Sequence, residues 1–202
     1  MSEQDTFTQL PLQMDPQTKA ISSIGPSSRA LTAELEALNN MHRSLLTLDT
    51  PFGFPPPPVP VHPKRSAMVT KFRDSGNDHF KKGKFPDAIK HYTLGLQAAL
   101  SRPLWEPGQL CREEVTGLYS NRAQAHMGLR NWPQGAVDAE ASVEAKKMGN
   151  AKAWWRRGKC LIEMGRLEEA KVWVKRGLEI ESGEKDLMEL MREIERRAGR
   201  AE

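Results

Sequence analysis

Apolar residues in this chain recur every three or four positions, which is the spacing of one face of an α-helix. Leu31, Leu35, Leu38, Met41 or His42, Leu45 and Leu48 predict a helix over 29–49 with a single apolar stripe, and Ser27 or Ser28 can cap its start. Leu187, Leu190, Met191 and Ile194 predict another near the C-terminus. Two stretches lack such a pattern. Residues 1–28 are polar and broken by Pro11, Pro16 and Pro26, so they read as mostly loop or disorder, with Phe7, Leu10, Leu12 and Met14 as possible anchors. Residues 50–63, TPFGFPPPPVPVHP, contain four consecutive prolines and predict a stiff polyproline II spacer.

Between these lies a repeat. FRDSGNDHFKKGKFPDAIKHYTLGL and WWRRGKCLIEMGRLEEAKVWVKRGL align so that Gly76 falls on Gly158, Ala88 on Ala170, Gly95 on Gly177 and Leu96 on Leu178. A weaker copy, LYSNRAQAHMGLRNWPQGAVDAEASVEA, sits between them with Ala123 at the glycine position. Each copy reads as helix, turn, helix. The predicted pairs are 66–82 with 85–101, then 112–147 with a turn near Asn131 and a second helix from Pro133, then 150–182 with a turn at Gly165. Residues 101–110, SRPLWEPGQL, lengthen the first interval. A self-similar helical hairpin of about 34 residues resembles the tetratricopeptide repeat (TPR). The small residues allow two helices to approach closely, and stacked hairpins curve around a groove. The expected fold is therefore all-α. Three hairpins over 66–182 and a capping helix over 183–202 follow an N-terminal helical arm, 1–49, and a proline-rich linker, 50–65.

Charge adds little. With 30 basic and 26 acidic side chains the net charge is only +4, too mild to imply nucleic acid by itself. No apolar run approaches the ~20 residues of a membrane span, so any membrane attachment is expected through a partner. The N-terminus shows no secretory leader, and two cysteines, Cys111 and Cys160, fit a reduced, cytosolic setting.

The candidate chemistry lies on the first helix of each hairpin. Arg73 and Asn77 are four residues apart and share a face, as do Lys152 and Arg156, with Asn121 on the helix between them. Three cations and two carboxamides suit a pair of carboxylates: the cations supply charge and the amides donate directed hydrogen bonds. The stretches Arg73-Asp74-Ser75-Gly76-Asn77, Leu118-Tyr119-Ser120-Asn121-Arg122 and Lys152-Ala153-Trp154-Trp155-Arg156 resemble the three motifs of the carboxylate-clamp TPR family. Four of the five positions carry that family's commonest residue; Arg73 stands where Lys is usual, which keeps the charge and changes its reach. The resemblance implies that these five residues bind the C-terminal carboxylate and terminal Asp of an extended peptide ending EEVD. Such tails belong to cytosolic heat-shock chaperones of the 70 and 90 kDa classes.

The order of arm, proline linker, clamp repeats and cap also resembles the family of peripheral TPR subunits of the fungal Sec post-translational translocation complex. That implies a place on the cytosolic face of the endoplasmic reticulum, a membrane-anchored partner subunit held by residues 1–65, and recruitment of 70 kDa class chaperones with their clients. No cofactor, metal, nucleic acid or direct membrane insertion is implied. No Gly-rich phosphate loop, G-x-S-x-G or H-E-x-x-H motif suggests an enzyme. His42, His62, His79, His91 and His126 are scattered, and read as surface or core-edge residues. Three alternatives stay open. One is a clamp for 90 kDa class tails. Another is a scaffold that binds an internal helix. The third is an RNA-binding helical repeat that uses a basic groove and five tryptophans. Against RNA, Trp154 and Trp155 read as out of phase with the Lys152–Arg156 stripe.

Overall fold

A computed structural model describes residues 9–46, 61, 63–103 and 105–199. The chain divides into two compact units, Met1–Val59 and Pro60–Glu202.

In the first unit, two short antiparallel strands, β1 (Leu12–Met14) and β2 (Ile21–Ser23), precede helix α1 (Arg29–Leu46). The strands occur where the sequence predicts mostly loop or disorder. Asp15 makes the difference: its Oδ1 accepts the backbone N–H groups of Gln17 (2.8 Å) and Thr18 (2.6 Å), which closes a turn through Pro16. Pro16 therefore serves a hairpin rather than ending structure. Ser28 caps α1, its Oγ accepting the N–H of Leu31 at 3.1 Å. Leu35 of the expected stripe is buried, but Leu38 is exposed, and Leu48 lies outside the described residues. Phe7 and most of the proline run, 50–60 and 62, also lie outside them.

The regular elements among the second unit's described residues are all helices. Helices α2 (Lys64–Lys81) and α3 (Phe85–Leu100) form the first hairpin, α4 (Gly108–Gly128) and α5 (Trp132–Ala145) the second, and α6 (Ala151–Glu163) and α7 (Leu167–Ile180) the third; α8 (Lys185–Ala198) packs against α6 and α7. Helix α2 starts two residues before the predicted 66, and α4 starts at Gly108, four before the predicted 112, so the last three residues of the expected insertion are helix. Leu187, Leu190 and Ile194 of α8 are buried with Trp154, Leu161 and Val174, as the capping role predicts. A second cluster around Tyr92, Leu96, Val115 and Leu118 joins the first two hairpins.

The helices meet where side chains are missing. A Cβ on Gly76 would lie 2.4 Å from the Tyr92 ring, and one on Gly158 would lie 2.6 Å from Val174 and 2.8 Å from Leu190. Ala123, at the same place in the middle copy, is fully buried. The longer first interval is held by Arg102. Its guanidinium reaches Glu114 (3.0 and 2.5 Å), Ser66 Oγ (2.7 Å) and Glu106, tying the α3–α4 connection to both neighbouring helices.

All three hairpin turns use one device. Gly83, Arg130 and Gly165 take positive φ (71°, 57° and 75°). The next residue in each case donates back to the carbonyl five positions earlier: Lys84 to His79, Asn131 to His126 and Arg166 to Leu161, all 2.9 Å. This is the Schellman end of a helix, which favours Gly because a Cβ is strained at φ > 0. Arg130 is exposed and breaks that rule. Arg130→Gly is expected to raise stability by roughly 0.5–1 kcal/mol, the strain relieved less the added freedom of the unfolded chain. Gly83→Ala and Gly165→Ala should lower it by a similar amount. Thermal and urea melts of the three variants check the prediction.

Candidate functional site

The first helices α2, α4 and α6 line a cavity of about 1270 Å³. Of the five residues picked out by sequence, Asn77, Asn121, Lys152 and Arg156 line it together. Arg73 is not in the wall: its exposed guanidinium lies 3.3 Å from the neighbouring Asp74 carboxylate.

The two carboxamides are wired to each other. Asn121 Nδ2 donates to Asn77 Oδ1 at 3.1 Å, and Tyr92 Oη donates to the same oxygen at 2.8 Å. With its carbonyl doubly engaged, Asn77 has its two amide hydrogens left for a ligand. Tyr92 is itself 2% exposed, and burial pushes its phenol up to about 12.

Arg156 departs from expectation. Its position four residues after Lys152 predicts a solvent-facing groove side chain, yet it is only 8% exposed. It donates to Gln124 Oε1 at 2.7 Å and to Ser120 Oγ. Both acceptors are neutral, and no acid pairs with it among the described residues. Desolvation by burial pulls the guanidinium below its ordinary pKa, and the coulombic effect of Tyr92 opposes it. Lys152, by contrast, is exposed and unpaired among the described residues, whereas Lys159 in the same wall is taken by Glu193 (2.9 Å) and Glu163 (3.2 Å).

Sequence reasoning missed Ser120, Gln124 and Tyr92, the groups that orient the site. Ser120 and Gln124 are four apart on α4, a signal visible in retrospect; Tyr92 comes from the second helix of its hairpin, which local spacing cannot connect to Asn77. The tryptophan phase is also corrected. Trp154 is buried against Trp173 and Gly177, but Trp155 lines the cavity, as does Trp132. Residues 152, 155 and 156 are three and four apart, which places them on one helical face. The wall is not a polyanion surface, however: Glu113, Glu181, Glu184 and Asp186 balance Lys146, Lys152, Arg156 and Lys159. No group of three or more His, Cys, Asp or Glu residues that could hold a metal occurs among the described residues.

No family model matches the chain. It is 39% identical over 143 residues to the ER protein translocation subcomplex subunit sec67 of Schizosaccharomyces pombe, covering 70% of this chain and 74% of that protein. Among solved structures, a chain in the cryo-EM Sec complex of S. cerevisiae superposes with a TM-score of 0.73, covering 94% of this chain and 98% of that one; at 19% identity this is a likeness of fold. The second TPR domain of human RPAP3, solved in complex with the HSP70 peptide SGPTIEEVD, is 27% identical with a TM-score of 0.54, covering 65% and 98%. The first TPR of Spaghetti (RPAP3), bound to the HSP90 peptide SRMEEVD, is 28% identical with a TM-score of 0.56, covering 66% and 95%.

Removing the Tyr92 hydroxyl is expected to loosen Asn77 while leaving the ring packed against Gly76. A neutral hydrogen bond contributes about 1 kcal/mol, so Tyr92→Phe should weaken any carboxylate ligand by about fivefold with helicity unchanged. The phenol also predicts a pH dependence. Its folded pKa of about 12 exceeds the unfolded value of 10, so its contribution to stability is complete below pH 10 and is lost as pH rises from 10 to 12. Alkaline difference spectra should show a late-ionising phenol that is absent in Tyr92→Phe. Titration of every phenol by pH 10 in the folded protein would contradict this.

Proposed function

This chain belongs to the family of the ER translocation subunit sec67 of S. pombe, and from that membership we propose that it is a non-enzymatic adaptor of the endoplasmic reticulum translocation machinery. Its groove binds the free C-terminus of an EEVD tail on a cytosolic 70 kDa class heat-shock chaperone, which brings client precursors to the membrane. Residues 1–49 are the docking arm for a membrane-anchored subunit and 50–65 the spacer. No helix among the described residues is long and apolar enough to cross a membrane, so this reading has the protein held on the cytosolic face through that subunit.

The observation that carries the reading is Arg156. A guanidinium buried against neutral acceptors retains the desolvation cost of its charge without the gain of a counter-ion. A carboxylate arriving in the cavity supplies that counter-ion. Lys152 adds a second, flexible charge, and Asn77 and Asn121 add directed donors. Two carboxylates on one residue, the terminal carboxyl and the Asp side chain, match this set. RPAP3 domains in complex with EEVD-ending peptides share the repeat fold at 27% and 28% identity, which supports the same ligand class. Arg73, outside the cavity wall, has a peripheral part.

The test is calorimetry with peptides ending EEVD, as free acids and as C-terminal amides. Micromolar affinity is expected, about −6 to −8 kcal/mol, falling with salt because exposed charges are screened over ~8 Å. Arg156→Ala should weaken binding about tenfold or more, since a charge-assisted bond contributes roughly 1.5–3 kcal/mol. Asn121→Ala should cost a comparable amount, and Arg73→Lys little. Saturating peptide should also stabilise the fold, by about 2.7 kcal/mol at a hundredfold excess over Kd. Equal affinity for acid and amide removes the clamp from the account. Stronger binding of 90 kDa class tails than of 70 kDa class tails selects the other chaperone class for the same site.

A further inference from the structure

The first unit carries an asymmetry that the groove does not explain. In an antiparallel pair, alternate residues turn their N–H and C=O groups toward the partner strand and away from it. The bonds from Ile24 N to Pro11 O (2.9 Å) and from Asp15 N to Ala20 O (2.8 Å) set that phase. Ile21 of β2 therefore points its backbone outward, and Asn39 of α1 satisfies both groups: Oδ1 accepts the Ile21 N–H and Nδ2 donates to the Ile21 O, each at 2.8 Å. The amide of Asn39 imitates a neighbouring strand and closes that edge. On β1 the outward residues are Leu12 and Met14, and among the described residues nothing bonds their outer N–H and C=O groups. Helix α1 packs on β2 and not on β1. Leu10, Leu12 and Met14 alternate onto one face beside this edge and are 45%, 40% and 58% exposed.

An edge with paired donors and acceptors beside an apolar row is the template for strand addition. We propose that the outer edge of β1 receives an extended strand of the membrane-anchored partner subunit, whose outward Leu12 and Met14 peptide groups it pairs and whose alternate apolar side chains extend the Leu10–Leu12–Met14 row. This rests on the proposed docking role of residues 1–49 and supplies its contact. The occupant is an extended backbone because only that matches two N–H/C=O pairs in register. A second copy of this chain can offer this edge only another three-residue strand, far below the ~1,000 Å² of a stable association, whereas a separate subunit can add contacts beyond the edge.

The experiment uses the full-length chain, alone and co-purified with the membrane-anchored subunit, with amide exchange followed at single residues. Binding should slow exchange at Leu12 and Met14 at least tenfold. Met14→Pro removes an outward donor while the bonds at Pro11 and Asp15 stay, because proline is tolerated on a strand edge; it should weaken the complex at least tenfold, and Met14→Ala much less. Continued protection of the Ile21 amide reports that the hairpin survives. EEVD-peptide binding should be the same in all three proteins. A complex without slowed exchange at Leu12 and Met14 overturns the assignment, as does a complex indifferent to Met14→Pro with the hairpin intact. Protection already present in the free chain, or a dimer dissolved by Met14→Pro, overturns it in favour of this chain's own residues. If the two subunits form no complex, the docking role of the arm fails with it, whereas loss of peptide binding alone indicts only the groove.

Discussion

The packing of the Tyr92 ring on the bare backbone of Gly76 joins the fold to the site. With no Cβ at Gly76, helix α3 lies close enough for the ring to occupy that space, and the phenol then ends at Asn77, the next residue. One close contact thus seals the first hairpin and turns a site amide toward the groove. The third hairpin uses the same missing Cβ for a different end. There Gly158 admits Val174 and Leu190, so the space serves the core and the capping helix α8 instead of the groove.

Three arginines show how the protein manages burial of charge. Arg102 is surrounded by Glu106, Glu114 and Ser66, and Arg122 binds Asp138 in two bonds of 2.7 Å while also reaching Thr93 at 3.0 Å. Hydrogen bonding to these acids holds both guanidinium groups above their ordinary pKa. Each ties neighbouring elements of the stack together, and neither needs anything from outside. Arg156 has hydrogen-bond partners of the right geometry and none of the right charge, so desolvation dominates and its shift has the opposite sign. A structural arginine is complete in the folded chain. Arg156 is completed by an anion, which is why it anchors the functional reading even though Lys152 is the more accessible cation.

Much of the helical unit was legible in the sequence because its causes are local. Helix periodicity, small residues at equivalent positions and glycine at two of three turns all act within a hairpin. Copies of the hairpin then report one another. Four of the five residues picked out by sequence line the cavity, since residues three or four apart share a face wherever the helix goes. The β1–β2 hairpin escaped because its strands are three residues long and its organiser is the side chain of Asp15, a signal far weaker than the three prolines around it.

Residue spacing determines which face a side chain occupies; only the tertiary structure decides how deep that face lies and what else reaches it. Asn77 and Asn121 are separated by 44 positions and meet because the 101–107 connection, pinned by Arg102, brings α4 alongside α2. Arg156 looks like Lys152 in the sequence, yet one is buried and the other exposed, because α4 covers the first through Ser120 and Gln124 and leaves the second open. Trp154 and Trp155 are neighbours that part ways for the same reason, one filling the core beside Gly177 and the other standing in the cavity wall. The chain alone determined that there would be three hairpins and which residue types would face their groove. The stacking of those hairpins decided which charges were left without a counter-ion, because desolvation depends on neighbours that the local sequence does not contain.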